Sequence, residues 1–582
     1  MRPVTPALTA STAAAGGWAY WQPSLLTVVV ALSVAGLTVR WLRRQHWPRL
    51  TVARDFALPR AASARSVVSE GDRARRQHGL ASAAQVYRHG SGHAARRTAG
   101  TLRPSLAGLS RRQLARVHPR HFAVELARVG GRTLWVGVEH VVLYFAAPRQ
   151  GKSSWLARRV IDYPGPVVAT STRTDIYTNT HRHRPGPVWV FNAAGMTGIH
   201  CEVGFDPLTD CAVAERATER AADMIPQASG EQEHWAALAR SALAALMHAA
   251  ALGDKTLDDV QRWVADPDQH AADVERLLRR SPAKAVVEDA RQFLSSNDRT
   301  RSSVTTSVMP ALRWLQAPAA RQAAGLDATH PTLRVEDLLT SGGSLYVLGR
   351  AADHTAPLLA ALTGYIARGA ERAADGARLD PPLGLMLDEA ARIRPPLPDW
   401  TSTMGGSGIS IVACFQSRAQ LREAWGPDGA AVILNNAGAI LLGGGTKDPD
   451  DLAAWSGLAG QRDERVDTRD GNGRITASTV RPTPVLPTAR LAHMPPKQVV
   501  VFHHGMPPAL GRVRMVWETP LHVRLHLHHA AGWWWRHPVA ISTSTPGETT
   551  PVEPVEEVAV ETAVVDYLPT PMKTEEVHSD AE

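Results

Sequence analysis

The chain has 582 residues, of which 44% are hydrophobic and 20% are charged, so it is long enough for two or three domains with buried cores. Its formal charge of +9 hides an asymmetry, because the segment from Glu548 onward holds ten acidic residues against one lysine and leaves about +18 on the rest. A basic body favours nucleic acid or anionic lipid as a partner, with a merely solvated basic surface as the alternative. Cys201, Cys211 and Cys414 lack metal-ligand spacing, which argues against a disulfide framework or a zinc knuckle and for a reducing compartment.

An uncharged run near the N-terminus, 18–39, has about 22 residues and is long enough to cross a bilayer. Aromatic residues mark its first end, and Arg40, Arg43 and Arg44 follow its second end. Because basic residues are retained on the cytoplasmic side, we expect a single-span anchor in the cell membrane with a short extracytoplasmic N-terminus, 1–17. The bulk of the chain would then lie in the cytoplasm.

The next segment, 40–132, is rich in arginine and only weakly periodic, which predicts a basic juxtamembrane linker with some helix. From residue 133 onward, short apolar runs alternate with helical stretches, a pattern typical of a parallel α/β sheet that is buried on both faces. The predicted strands are LWVGV, VVLYF, PVVAT, VWVFN, SLYVLG, LGLMLDE, ISIVACFQ and AILLGG.

The stretch YFAAPRQGKSSW, residues 144–155, follows a predicted strand and precedes a helical pattern. Strand, tight loop, Gly-Lys-Ser and helix are the parts of a P-loop, whose backbone N–H groups hold phosphate oxygens at a helix N-terminus. Lys152 is expected to contact the β- and γ-phosphates of ATP and Ser153 to bind Mg²⁺. Ala146 stands where the motif usually has its first glycine, and a methyl group is expected to fit there. The predicted nucleotide-binding residues are Ala147, Pro148, Arg149, Gln150, Gly151, Lys152, Ser153 and Ser154.

Residues 211–328 contain no predicted strand, only helical patterns rich in alanine and leucine such as HWAALARSALAALMHAAAL. They predict an all-α insertion between two parts of one α/β domain, 133–210 and 329–540. Both ends of the insertion should therefore lie close together at one edge of the sheet. A surface of this kind can vary without disturbing the nucleotide site, which suits substrate recognition, and a structural lid over the nucleotide is the alternative.

Two pairs of residues within the insertion carry more specific expectations. Trp235 and Leu243 lie in the most apolar helical pattern and should pack in its core. Arg299 and Arg301 stand beside hydroxyl residues in SSNDRTRSS, which predicts an exposed turn that faces anions.

The strand LGLML is followed by Asp388 and Glu389, the carboxylates that a P-loop ATPase needs at a strand end. Asp388 is predicted to organise Mg²⁺ and Glu389 to act as general base toward the attacking water. Gln416 ends the next strand, where a polar side chain can sense the γ-phosphate or orient that water. The predicted catalytic residues are thus Glu389, Lys152 and Gln416, and the predicted metal ligands are Ser153 and Asp388.

Toward the C-terminus, alternating polarity around Asp470-Gly471-Asn472-Gly473 predicts a hairpin. Three histidines further on share one face of a predicted strand, where a solvated surface is favoured over a metal site because no carboxylate or cysteine joins them. A run of three tryptophans can stack bases or pack a domain edge, and packing is favoured. The segment 541–582 is rich in proline, threonine and glutamate and is predicted to be a disordered acidic tail. The residues concerned are His522, His526, His528, Trp533, Trp534 and Trp535.

The order of these features resembles the coupling proteins of type IV secretion, the TraG/TraD class of conjugative DNA-transfer ATPases. The stretches that carry the resemblance are VVATSTRTDIYTNT after the P-loop, FDPLTDC before the insertion, FLSSNDRTRSSVTTSVMPALRWL at its end, and LDEAARIRPPLPDW, which is close to the actinobacterial branch. The likeness covers about 134–516. The chain departs from the family at Ala146 and in having one predicted membrane span where two are usual.

The resemblance implies a RecA-like P-loop ATPase domain, a homo-hexameric motor and a substrate-recognition role for the all-α insertion. It further implies DNA-stimulated ATP hydrolysis and two kinds of partner, single-stranded DNA with its relaxase and the components of a secretion channel.

Two other functions remain open from the sequence. One is a translocase of double-stranded DNA like FtsK or HerA, which the gap of 236 residues between Lys152 and Asp388 disfavours. The other is a membrane receptor that binds nucleotide without motor activity, which Glu389 disfavours.

Overall fold

The computed structural model describes residues 79–518 apart from 229, 328–329, 351–353 and 472. The predicted extracytoplasmic N-terminus, transmembrane helix and acidic tail lie outside the described residues, as do the three histidines and three tryptophans near the C-terminus.

One large sheet organises the described chain. It has 11 strands in the order β2-β1-β13-β12-β9-β3-β8-β7-β4-β6-β5, and the run from β9 to β5 is parallel throughout. Strands β12, β13, β1 and β2 extend it in antiparallel fashion, and β10 and β11 form a separate hairpin. The strands are β1 Ala123–Val129, β2 Arg132–Gly137, β3 Val141–Phe145, β4 Val167–Ser171, β5 Val188–Asn192, β6 Ser344–Leu348, β7 Leu383–Leu387, β8 Ile409–Phe415, β9 Ala437–Leu442, β10 Gln461–Arg469, β11 Ile475–Pro484, β12 Gln498–His503 and β13 Met506–Arg512.

The parallel strands are short and almost wholly buried, because helices cover both faces of the sheet. The helices are α1 Ala83–Gly90, α2 Gly92–Ala95, α3 Ala99–Leu102, α4 Arg111–Arg116, α5 Lys152–Asp162, α6 Asp175–Thr180, α7 Ala214–Met224, α8 Glu231–Leu252, α9 Leu257–Ala265, α10 Pro267–Leu278, α11 Lys284–Ser295, α12 Asp298–Leu312, α13 Pro318–Ala323, α14 Val335–Ser341, α15 Ala356–Ala374, α16 Ala390–Ile393, α17 Leu397–Thr403, α18 Arg418–Asn435, α19 Pro449–Ala459 and α20 Thr488–Ala492.

The predicted boundary of the α/β domain at residue 133 is wrong in the structure. The segment expected to be linker holds α1 to α4 and the strand β1, whose residues are buried except Arg128. Leu80, Leu102 and Phe122 from this segment are buried as well. The pattern AVELARV places charged residues within a buried strand, and this hides its apolar character in the sequence.

The insertion is all-helical, as predicted, and α7 to α13 lie between β5 and β6, which are neighbours in the sheet. The first of these helices, α7, packs against both α8 and the helix α15 of the α/β domain. The guanidinium of Arg368 on α15 pairs with Asp223 of α7, and Arg220 of α7 lies over the rings of Phe205 and Tyr365. The rest of the insertion, α8 to α13, follows α7 and shares a hydrophobic core with the α/β domain.

The expectations for single residues of the insertion have mixed outcomes. Leu243 is fully buried and Trp235 is partly buried against the same core. Arg299 is exposed, but Arg301 is not available to anions, because its guanidinium binds Asp268 and Asp298. Both arginines lie in the helix α12, so the expected turn is wrong, and Arg301 does not face anions.

Two further predictions concern single elements. The hairpin is confirmed, since β10 pairs with β11 around the turn at Asp470. Among the described residues one helical segment, Gln232–Leu252, is long and apolar enough to cross a membrane, but most of it is buried within the insertion, as expected of a core helix.

Candidate nucleotide-binding site

The loop between β3 and α5 has the backbone of a phosphate-binding loop. Gly151 caps α5 in the left-handed region at φ +85°, and Arg149 adopts φ +63° two residues earlier. These turns direct the loop around the N-terminus of α5, where unpaired N–H groups attract anions. Pro148 and Arg149 are exposed, whereas Ala147 and Gln150 are half-buried. Ala146 has a negative φ, so the position of the missing glycine does not require one.

Lys152 lies inside this loop. Its ammonium donates to the carbonyl oxygens of Ala146 at 2.6 Å and Ala147 at 3.1 Å, and the residue is only 8% exposed. Burial lowers the pKa of Lys152, while Cys414, Asp388 and Glu389 act in the opposite direction. The amine is thus placed as the positive charge at the centre of the loop.

Ser153 and Asp388 meet although 235 residues separate them. The hydroxyl of Ser153 donates to Asp388 Oδ2 at 2.9 Å, and the other carboxylate oxygen, Oδ1, is buried without a hydrogen-bond partner. Burial raises the pKa of Asp388 to about 6, with the Ser153 hydrogen bond lowering it and Glu389 raising it. A hydroxyl and an unpartnered buried carboxylate oxygen side by side fit a Mg²⁺ ion, whose remaining ligands are water and phosphate.

Mg²⁺ in such a site is not enclosed by protein ligands. In the described part of the chain no group of three or more His, Cys, Asp or Glu side chains could hold a metal by itself. The two ligands predicted from the sequence, Ser153 and Asp388, therefore suit an ion that arrives with its nucleotide.

Glu389 and Gln416 form the part of the site that follows the strands β7 and β8. Gln416 Nε2 donates to Glu389 Oε1 at 3.3 Å, and the hydroxyl of Thr172 donates to Glu389 Oε2 at 2.9 Å. Glu389 has left-handed backbone, φ +49° and ψ +46°, which is uncommon for a residue other than glycine and turns the chain sharply after β7. The carboxylate is thereby fixed by partners from two neighbouring strands.

The order of strands brings all these residues to one edge. Strand β8 lies between β3 and β7, and all three are parallel, so their carboxyl ends deliver the P-loop, Gln416 and the Asp388-Glu389 pair side by side. Ligands of parallel α/β sheets bind at this edge. The structure therefore brings together every predicted catalytic and metal-binding residue.

Sequence reasoning missed three contributors to the site. Thr172 follows β4 directly, and its role is visible only once β4 is known to lie beside β7. Gly443 follows β9 and faces Ala146 across the sheet edge. Met515 packs against Gly151, although about 360 residues separate the two in sequence.

An open cavity of about 880 Å³ lies beside Gln416, between the α/β domain and the insertion. Its walls come from the ends of α7 and α12 on one side and from α16 and α18 on the other. Charged lining residues include Asp223, Arg392, Arg394 and Glu423. The insertion thus borders the catalytic end of the nucleotide site.

Comparison with known proteins agrees with this geometry. The family described as the TraM recognition site of TraD and TraG matches residues 382–496, which include Asp388, Glu389 and Gln416. No curated protein matches the chain in sequence.

Solved structures of one protein share the fold. The unbound bacterial conjugative coupling protein TrwBdeltaN70 has a TM-score of 0.53 at 18% identity, over 73% of this chain and 92% of that one. TrwB with ADP and Mg²⁺ gives a TM-score of 0.51 at 18% identity, over 67% and 89% of the two chains. TrwB with a non-hydrolysable ATP analogue gives a TM-score of 0.50 at 17% identity, over 74% of this chain and 94% of that one. The resemblance to the TraG/TraD class of coupling proteins is therefore confirmed, by the family match in residues 382–496 and by a shared fold along most of the chain.

Proposed function

We propose that this chain is an ATP-hydrolysing coupling protein that recruits DNA with its relaxase and drives their transfer through a conjugation channel. The observation that carries the proposal is the pairing of Ser153 with Asp388 beside a fixed Glu389, on the fold of a conjugative coupling protein. The same proposal has three further parts: the chain is anchored in the cell membrane, most of it lies in the cytoplasm, and it assembles as a homo-hexamer.

Each residue of the site has a defined task in hydrolysis. The N–H groups at the start of α5 and the ammonium of Lys152 bind the β- and γ-phosphates. Ser153 and Asp388 hold Mg²⁺, which neutralises phosphate charge when bound. Glu389 accepts the proton of the attacking water, and Thr172 and Gln416 hold its carboxylate in the required orientation. Phosphoryl transfer needs mainly this positioning and charge stabilisation.

The family match and the charge of the chain support the proposed partners. The matched family is described as a TraM recognition site, so we place the contact with the DNA-processing complex within residues 382–496. The basic body suits contact with nucleic acid. The helices α8 to α13 of the insertion are our candidate for choosing the substrate.

The first experiment measures nucleotide binding and hydrolysis by the full-length protein and two variants. Lys152→Ala should abolish binding of ATP, because the loop loses its central positive charge. Glu389→Gln should bind ATP normally and hydrolyse it at least 100-fold more slowly, because general-base catalysis contributes about 10²–10⁴-fold. Equal ATP binding by the wild type and Lys152→Ala would refute the site assignment.

The same assay separates the alternative functions. Stimulation of hydrolysis by single-stranded DNA supports a coupling motor, whereas preference for double-stranded DNA favours the FtsK/HerA-like translocase. If the protein binds nucleotide but does not hydrolyse it with either kind of DNA, the remaining function is that of a membrane receptor without motor activity.

A further inference from the structure

The last described residues of the chain cross over the P-loop. We call Met515–Glu518 the strap. The N–H of Val516 donates to Ser154 Oγ at 3.2 Å, and a Cβ atom on Gly151 would lie only 2.5 Å from Met515 Cε. Met515 and Val516 are each 2% exposed. The strap is thus a packed part of the nucleotide site.

Ion pairs hold the strap in place. Arg514, directly before it, pairs with the buried carboxylate of Glu125 on β1. Glu518 accepts from the ammonium of Lys497 at 2.9 Å and from the N–H of Met515 at 3.3 Å. These contacts fix the backbone on both sides of Trp517.

The position of the strap relative to a bound nucleotide follows from the sheet. The γ-phosphate must point toward Glu389 and Gln416, which follow β7 and β8 on one side of β3. The base and ribose must therefore extend to the other side, where β9, β12 and β13 lie. The strap leaves β13 on that side, and Lys497 precedes β12 at the same carboxyl edge.

Trp517 is the outward-facing residue of the strap. Its side chain is 47% exposed, and in the described part of the chain only Tyr87 is a comparably exposed large aromatic residue. The ammonium of Lys497 lies 5.5 Å from the indole centroid and orients the ring. An exposed indole beside a P-loop offers a flat apolar surface of the size of a purine.

We propose that Trp517 and Lys497 form the nucleobase subsite, in which the base of ATP stacks on the indole of Trp517. The proposal rests on the proposed function, since it deepens the same nucleotide site. It makes the strap a specificity element, because stacking distinguishes a nucleoside triphosphate from inorganic triphosphate.

The test compares two ligands by calorimetry on the full-length protein with Mg²⁺: a non-hydrolysable ATP analogue and inorganic tripolyphosphate. Trp517→Ala should weaken the ATP analogue about tenfold, in the range measured for base–aromatic stacking, and leave tripolyphosphate binding unchanged. Trp517→Phe, which keeps an aromatic face, should recover most of the loss. Tyr87→Ala is the matched control, because α1 packs at the opposite edge of the sheet, near the Gly505 turn.

Three results would overturn the inference. Unchanged binding of the ATP analogue by Trp517→Ala would exclude stacking. An equal loss for both ligands would assign Trp517 to the packing of the loop and not to the base. Failure of the wild type to bind either ligand would refute the proposed function itself and this subsite with it, whereas selective loss of the analogue supports both.

Discussion

Ala146 and Gly443 face each other where β3 and β9 end. A Cβ atom on Gly443 would lie 2.8 Å from the Cβ of Ala146 and 3.1 Å from the ring of Tyr144. The N–H of Gly443 donates to the Phe145 carbonyl at 2.7 Å, so the backbones cannot separate freely. The methyl group that replaces the usual glycine of the P-loop thus occupies space that a glycine on the neighbouring strand leaves open.

This pairing predicts the effect of exchanging the two residues. Gly443→Ala should weaken binding of a non-hydrolysable ATP analogue by about 5- to 150-fold, the equivalent of the roughly 1–3 kcal/mol that overpacking costs. Adding Ala146→Gly should restore part of the affinity, because it removes one of the two clashes. Calorimetric titration of the single and double variants measures both effects. If the double variant binds the ATP analogue no more tightly than Gly443→Ala does, the proposed contact between residues 146 and 443 is wrong.

The sequence predicts the site residues that lie in recognisable motifs. It does not predict the residues that reach the site only through the arrangement of the strands. Asp388, Glu389 and Gln416 are recognisable because two carboxylates and an amide at strand ends, together with the Gly-Lys-Ser loop upstream, are the groups that a P-loop ATPase needs. Thr172 also follows a buried strand directly, but a threonine at that place matches no requirement of a P-loop ATPase, and Trp517 follows no predicted strand. Their roles depend on which strand lies next to which, and a single sequence does not contain that order.

Among the elements, β1 shows why part of the sheet escapes prediction. Its buried residue Glu125 accepts from Arg514, which leads into the strap, and lies 3.9 Å from the guanidinium of Arg159 on α5. Burial alone would raise the pKa of Glu125, but Arg159 and Arg514 outweigh it and bring the pKa to about 2. A charged residue in a strand breaks the apolar pattern, and here the two arginines make it tolerable. Strand β13 also escapes prediction, because two prolines, Pro507 and Pro508, interrupt its sequence pattern.

The charge on Glu125 makes a pH-dependent contribution to stability. Because its pKa falls from 4.5 to about 2 on folding, the contribution is complete above pH 4.5 and disappears as the pH falls toward 2. Glu125→Gln should therefore lower the free energy of unfolding by about 3 kcal/mol at pH 7, as expected when one partner of a buried ion pair is removed. The difference from the wild type should shrink below pH 4.5.

Chemical denaturation at pH 7 and pH 3.5 measures this difference. Glu288→Gln is the control, because the Glu288 side chain is 72% exposed and its pairing with Arg291 contributes little. A difference between Glu125→Gln and the wild type that stays constant with pH would show that packing, not charge, explains the loss.

At the scale of the described chain, the α/β domain and its insertion share one buried core. Buried residues of α8, α12 and α15 belong to a single hydrophobic cluster that reaches the strands on either side of the nucleotide site. The cavity beside Gln416 is bordered by both parts. The catalytic end of the site and the insertion therefore border the same cavity and share one hydrophobic core.

The proposed division between a membrane anchor and the ATPase domain supplies the last prediction. The described core begins at Leu80, whose neighbour Ala81 donates its N–H to the Pro508 carbonyl. Removal of residues 1–78 should leave a protein that needs no detergent, keeps its melting temperature within a few degrees and hydrolyses ATP, yet supports no conjugative transfer. A protein that lacks residues 1–122 should instead aggregate, because it has also lost Leu102 and Phe122, which are buried beside β1 and β2. Static light scattering, ATP hydrolysis and mating assays test the pair. Transfer at the wild-type level without residues 1–78 would refute the membrane anchor, and a demand for detergent after that truncation would place a second membrane contact within the described fold.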